Sequence, residues 1–313
     1  MNDLRPIKFT DFVGQANIKR QLEVVLKSSR ITKRVLPHIL LYGPAGLGKT
    51  TLANIIANNV NGRLIATNGG SIERMSDLIT IVSTLRDNDV LFIDEIHRLK
   101  SNIEEVLYSA LEDNFISVIV GKEETLKNIK IELPRFTIIG ATTKLSKLSA
   151  PLRNRFTLQF YFKVYDHSNI KQILKNNSKI LNICMSENHY DKLAIVSRGI
   201  PRIANNILRR VFDYVNVYNI DKLNDTELQE IFKLNEIDKF GITSSEREYL
   251  KIVYVQFNKG PIGVRSIAAL LNEDISTIEE IIEPYLLRIN MITRSSKGRA
   301  VTDKAIEYIK QYL

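Results

Sequence analysis

Residues 43–50 read Gly43-Pro44-Ala45-Gly46-Leu47-Gly48-Lys49-Thr50. Gly43 and Gly48 bracket four residues and are followed by Lys-Thr, a spacing that suits an oligophosphate. Glycine lets the backbone turn so that its N–H groups face phosphate oxygens. A helix starting at the loop would add its positive end. Lys49 would set a point charge against the β- and γ-phosphates, and the Thr50 hydroxyl would ligate Mg²⁺. Further along, Val90-Leu91-Phe92-Ile93-Asp94-Glu95 is an apolar run ending in two acids. Beside a phosphate loop, Asp94 would hold Mg²⁺ through water and Glu95 would polarise the attacking water as general base.

Three other patterns bear on the same chemistry. Gly140-Ala141-Thr142-Thr143 closes an apolar run on small hydroxyls. One of them could reach the γ-phosphate or the lytic water, or simply open a loop. Pro151-Leu152-Arg153-Asn154-Arg155-Phe156 sets two arginines two apart after a proline turn. One can face its own domain and the other a neighbouring subunit, where a guanidinium would offset charge developing on the γ-phosphate. The spacing by itself favours an ordinary surface ion pair. In Gly199-Ile200-Pro201-Arg202, the proline suits a helix first turn and puts Arg202 near the helix's positive end, a poor place for a cation unless an anion is close.

These residues need elements to carry them. The apolar runs His38–Tyr42, Asp89–Ile93 and Phe136–Ala141 read as strands, with helical stretches Lys49–Asn59 and Ser101–Glu112 between them. Continuous apolar strands alternating with helices imply a parallel sheet covered on both faces. Phe115–Val120 and Ile129–Leu133 read as a hairpin around a charged tip, Lys122-Glu123-Glu124. Past Pro151 the pattern turns helical: 168–181, 191–198, 203–218 and 226–234. From Ile242 come helices 245–258, 264–271 and 275–287. A hairpin follows, Met291–Arg294 against Arg299–Thr302, which together with the three helices is a winged-helix pattern. The predicted domains are 1–164 (α/β ATPase), 165–240 (all-helical) and 241–313 (winged helix).

Charge sharpens the choice of partner. Across 313 residues, 44 Lys and Arg outweigh 35 Asp and Glu, for a net +9. That admits nucleic acid without requiring it. The excess lies mostly in the first domain, so the winged unit is not basic as a whole. Within residues 288–304, however, Arg288, Arg294, Lys297, Arg299 and Lys304 face Asp303 alone. A local basic wing suits backbone contact without sequence reading. Cys184 is the single cysteine, which excludes an intramolecular disulfide, and four scattered histidines have no metal spacing. No run approaches the ~18 apolar residues of a membrane span, and the first residues lack an apolar signal core. The expectation is a soluble, cytoplasmic chain with no membrane partner.

Taken together, the phosphate loop, DEIHRL (Asp94–Leu99), GATT, PLRNRF and GIPRIANNILRR (Gly199–Arg210) resemble the AAA+ ATPases, and among them the RuvB family of Holliday-junction branch-migration motors. Leu4-Arg5-Pro6, Phe12-Val13-Gly14-Gln15, GPIGVRSIAALL (Gly260–Leu271) and EPYL (Glu283–Leu286) extend the likeness in the same order along nearly the whole chain. The resemblance implies an α/β P-loop AAA+ core, an all-helical lid and a C-terminal winged helix. It implies ATP and Mg²⁺, a homo-hexamer on double-stranded DNA at four-way junctions, and the partner RuvA docked on the hairpin 115–133. Leu4, Arg5 and the Phe12-Val13 region would line the adenine site. Gly46, Gly48, Lys49, Thr50 and Thr51 would hold phosphates and Mg²⁺. Thr143 would be the first sensor and Arg202 the second, Tyr165 would contact nucleotide from the hinge, and Arg155 would act on the next subunit's ATP. Arg294 and Arg299 match DNA-contacting positions. The sequence departs from the family at Asn154, where an Asp is usual, and in its charged hairpin tip. A clamp-loader-like switch and a nucleotide-sensing winged-helix regulator are the competing readings. The terminal winged helix argues against the first, and intact Lys49, Asp94, Glu95 and Arg155 argue against the second.

Overall fold

The structure, a computed structural model, describes residues 4–113, 115–120 and 127–312. It divides into two compact units, Met1–Ile180 with Gly199–Asn205, and Leu181–Arg198 with Asn206–Leu313.

The first unit is built on five strands, β1 (Ile39–Tyr42), β2 (Leu64–Asn68), β3 (Val90–Asp94), β6 (Thr137–Thr142) and β7 (Leu158–Tyr161), in the order β2-β3-β6-β1-β7. All neighbours run parallel. The three expected strands are the sheet's interior, and all but their last residues are buried in β1 and β3 while β6 is buried throughout. Burial on both faces explains their unbroken apolar runs. The two strands that composition did not reveal are the edges. In β2 no residue is fully buried, and in β7 only Phe160 is. An edge strand has too little apolar surface to stand out in sequence.

Helices α1 (Ala16–Thr32), α2 (Lys49–Asn59), α3 (Met75–Ser83), α4 (Ser101–Asp113), α5 (Ala150–Arg155) and α6 (His167–Ile180) belong to this unit. Ile103, Leu107, Ala110 and Leu111 of α4 pack with Leu91, Ile93 and Ile138 of the sheet and with Leu152 of α5. Between α4 and β6, the hairpin β4 (Phe115–Val120) and β5 (Lys127–Glu132) pairs antiparallel from Phe115↔Glu132 to Val120↔Lys127. Ile116 anchors its base in the core, and the Lys130 ammonium sits 3.6 Å over the Phe115 ring. The charged tip, residues 122–126, lies outside the described residues.

The second unit begins with helix α7 (Glu187–Val196) and the later part of α8 (Pro201–Val217), followed by α9 (Asp225–Leu234). Next come α10 (Ser244–Lys251), which continues as a π-turn to Gln256, and α11 (Val264–Leu271). Residues 275–288 are helical, with a π segment at Ile278–Ile282. The wing is β8 (Ile292–Ser295) against β9 (Gly298–Val301), and a helix at Asp303–Tyr312 closes the unit. Tyr249, Ile267, Leu286 and Ile292 share one core with Ala305 and Tyr308. Thr243 caps α10 reciprocally with Glu246, the kind of contact worth about 1 kcal/mol. The architecture is a P-loop α/β core with a helical lid and a winged helix.

Candidate functional site

The sheet order places the candidate residues. β6 lies between β3 and β1, so Asp94, Thr142 and the phosphate loop stand side by side at the carboxyl ends of three neighbouring strands. The acidic strand is thus one removed from the loop, with the GATT strand between them. Open α/β sheets bind ligands at this end.

The loop is pinned from several sides. Gly43 N donates to Thr142 O, Tyr165 Oη donates to Leu47 O at 3.1 Å, and Arg202 N donates to Gly46 O at 3.2 Å. Gly46 and Gly48 have φ of 79° and 98°, left-handed values natural to glycine. A Cβ on Gly46 would lie 2.9 Å from Ile200 Cγ2 and 3.0 Å from Arg202 Cβ. One on Gly48 would lie 3.2 Å from the Phe12 ring. Tyr165, Arg202 and Phe12 therefore gather at the loop. Leu4 is buried and Arg5 exposed.

Lys49 opens α2 and is buried, 7% exposed. Its Nζ donates to Gly43 O at 2.8 Å and Pro44 O at 2.9 Å. Burial pulls its pKa below the usual lysine range, against the opposing charges of Asp94 and Glu95. No side chain caps the N-terminus of α2, where Thr50 and Thr51 sit half-buried. Uncapped N–H groups, a buried ammonium on loop carbonyls, and a bend that a side chain would fill fit a polyphosphate. Thr50 and Asp94 are hard oxygen donors of the kind Mg²⁺ takes alongside phosphates.

Beyond Asp94, Glu95 adopts φ 45° and ψ 47°, a left-handed conformation that costs a non-glycine residue roughly 1–2 kcal/mol. The turn is held by hydrogen bonds. Glu95 N donates to Asp94 Oδ1, and Thr143 Oγ1 donates to Glu95 Oε2 at 3.0 Å. His97 Nδ1 lies 3.1 Å from the same oxygen and 2.9 Å from Thr142 Oγ1, which also accepts from Lys144 N. Burial depresses the His97 pKa, partly offset by Glu95. The strand-end acid is thus fixed by both threonines of GATT, Thr143 directly and Thr142 through His97.

Arg155 is turned toward its own chain. Its Nη2 donates to Glu112 Oε2 at 2.9 Å, its guanidinium lies 5.1 Å from the Tyr108 ring centre, and its buried Nε has no partner. Glu112 and Tyr108 escaped the sequence reading because they are distant in sequence and act only through α4 packing against α5.

In the wing, Arg294 and Arg299 pair directly across β8 and β9, on opposite arms as expected. They differ in exposure. The Arg294 side chain is 50% exposed, whereas that of Arg299 is 8% exposed. Both Nη2 atoms donate to Glu279 Oε1, at 2.7 and 2.6 Å, and Arg299 Nε donates to Glu283 Oε1 at 2.8 Å. Counting charge along the wing misses these acids, which arrive from the preceding helix. Their spacing of four, on one helix face, was the available signal.

A parallel sheet with its phosphate loop, strand-end Asp-Glu and threonine at neighbouring strand ends defines a P-loop ATPase of the AAA+ type. Family models describe its successive parts: the Holliday junction DNA helicase RuvB P-loop domain matches residues 4–162, the RuvB AAA lid domain 165–238, and the RuvB C-terminal winged helix domain 239–310. The chain is 41% identical over 308 residues to the Holliday junction branch migration complex subunit RuvB of Fusobacterium nucleatum subsp. nucleatum, covering 98% of this chain and 93% of the relative. It is similar to the solved Thermotoga maritima RuvB Holliday junction branch migration motor, with TM-score 0.85, 36% identity and 98% of each chain covered. A point variant of that protein gives TM-score 0.87 at 36% identity over 99% of each chain. The chain belongs to the RuvB family.

Proposed function

We propose that this chain is an ATP-driven motor that moves Holliday junctions, working as a hexameric ring on double-stranded DNA with RuvA. The observation that carries the reading is the convergence of Lys49, Asp94, Glu95 and Thr143 at one end of the sheet, in a chain that also carries a winged helix. Its domains are 1–164, 165–240 and 241–313, and it works in the cytoplasm. No helix among the described residues is long and apolar enough to cross a membrane.

On ATP binding, Lys49 exchanges two loop carbonyls for phosphate oxygens. Gly46, Gly48, Thr50 and Thr51 supply further contacts, Leu4, Arg5 and the Phe12-Val13 region line the adenine, and Tyr165 contacts the nucleotide from the hinge. Thr50 and Asp94 hold Mg²⁺, which supplies charge neutralisation on the phosphates. Glu95 accepts the proton of the attacking water, while Thr143 keeps its carboxylate oriented and reports the γ-phosphate. Arg202 supports the phosphates from its helix start. Arg155 leaves Glu112 to reach the ATP of the adjoining subunit, and its partnerless Nε is consistent with a side chain not at its final destination. The hairpin 115–133 takes RuvA, and Arg294 takes DNA phosphate. Arg299, matched to the same role by the resemblance, is buried behind it and contributes by holding the wing.

The test is a synthetic four-way junction with labelled arms, incubated with the chain and ATP, with and without RuvA. Separation of the arms that needs ATP and is enhanced by RuvA is expected. A chain that binds ATP and DNA but never moves the junction would refute the motor reading.

A further inference from the structure

The wing's arginines are matched charge for charge. Glu279 and Glu283 lie four apart on the helical segment 275–288, facing Arg294 and Arg299. Glu283 is fully buried and committed: Tyr249 Oη donates to it at 3.0 Å and Arg299 Nε at 2.8 Å. This inner pair fixes the hairpin to the helix. Glu279 differs. Its side chain is 33% exposed, and its Oε1 accepts from both arginines at once. Arg294 Nη1 is also within 3.9 Å of Glu283. Both ends of the Arg294 guanidinium therefore face carboxylates, although half of the side chain is open to water.

We propose that Glu279 limits how strongly the wing grips DNA, by competing with phosphate for the Arg294 guanidinium. A phosphate that takes Arg294 Nη2 must displace Glu279 Oε1, and the released carboxylate falls back on Arg299, which already donates to it. That second partner makes the exchange possible without stranding a charge. A translocating motor gains from it, because a phosphate grip that is too strong must be broken at each step. This inference rests on the reading of Arg294 as a DNA contact.

The experiment measures binding of two unrelated duplexes by the full-length chain over a range of salt, for the parent, Glu279→Gln, Arg294→Ala and the double variant. Glu279→Gln keeps the side-chain shape and leaves Arg299 on Glu283; a thermal melt checks that the fold is retained. It should bind both duplexes about two- to fivefold more tightly at low salt, the range set by releasing a part-exposed ion pair. The salt dependence should steepen by at most about one ion. In the Arg294→Ala background the same change should have no effect, because the competitor has nothing left to compete for. Unchanged or weaker binding by Glu279→Gln, alongside weaker binding by Arg294→Ala, overturns the inference while leaving the DNA contact intact. Equal tightening with and without Arg294 also overturns it, as a general field effect. If Arg294→Ala itself binds like the parent, the DNA contact fails and the inference with it.

Discussion

Thr143 Oγ1 donates to Glu95 Oε2 at 3.0 Å, so the hydroxyl that closes β6 restrains the acid that follows β3. Glu95 makes a left-handed turn directly after the strand, and His97 and Thr143 share one of its carboxylate oxygens. A base held this way loses little orientational freedom when water arrives. Glu95→Gln should retain ATP binding but lose turnover by at least about 10²-fold, the lower end for removing a positioned base. Parallel measurements of nucleotide affinity and phosphate release check this. Parental turnover in the variant removes Glu95 from its role.

Lys49 is the only charged residue of the phosphate loop, and its ammonium is already desolvated onto two carbonyls. Lys49→Ala should weaken ATP binding and abolish hydrolysis, because neither the water that replaces the ammonium nor the loop amides supply a full positive charge. Calorimetric titration with a non-hydrolysed nucleotide analogue separates the binding loss from the catalytic one.

Arg155 should act in trans. Its replacement by Ala should leave nucleotide binding near parental yet cut turnover by something like 10³-fold, the lower range for arginine fingers. Mixing Arg155→Ala chains with Glu95→Gln chains creates interfaces that carry an intact Glu95 on one side and an intact Arg155 on the other. Hydrolysis should reappear in the mixture. Its absence at every ratio, with mixed assemblies demonstrated, counts against a shared site.

The two wing arginines should give different phenotypes. Arg294→Ala should weaken DNA binding about equally on all sequences and reduce the salt slope by roughly one unit. Arg299→Ala instead leaves Glu283 buried with one partner fewer, a loss of about 3–5 kcal/mol when a buried pair is broken. Its thermal melt should fall well below that of Arg294→Ala, with ATP binding retained.

Acid should destabilise the first unit through His38. Its Nδ1 accepts from Ile138 N at 2.9 Å, and burial pushes its pKa down to about 4. The folded state therefore holds the neutral ring where the unfolded chain, near 6.5, would be protonated. Its contribution is complete above pH 6.5 and is lost as pH falls from there toward 4, by up to about 3 kcal/mol. Denaturant titrations at several pH values should show a shallower slope for His38→Asn in that window.

What sequence revealed follows from what each residue depends on. The phosphate loop, Asp94 and Glu95 were legible because their chemistry is tied to local spacing and to apolar strands buried on both faces. The edge strands β2 and β7 were not, since a half-covered strand has no continuous apolar run. The contacts of Arg155 with Glu112 and of Arg294 with Glu279 depend on how separate elements pack, which no local pattern encodes. Arg299 belongs with them: its burial against Glu279 and Glu283 depends on the helix packed beside the wing, which charge along the wing does not show.

Hydrolysis at this phosphate loop should drive junction movement. This is tested most directly by following fluorescence separation of the arms of a four-way junction with RuvA and ATP, for the parent chain and for Glu95→Gln at concentrations where both are saturated with ATP and DNA. The parent should separate the arms at a rate that tracks its ATP turnover, and Glu95→Gln should hold the junction without moving it. Movement by Glu95→Gln at the parental rate, or turnover by the parent with no movement at all, would show that hydrolysis here does not drive the junction.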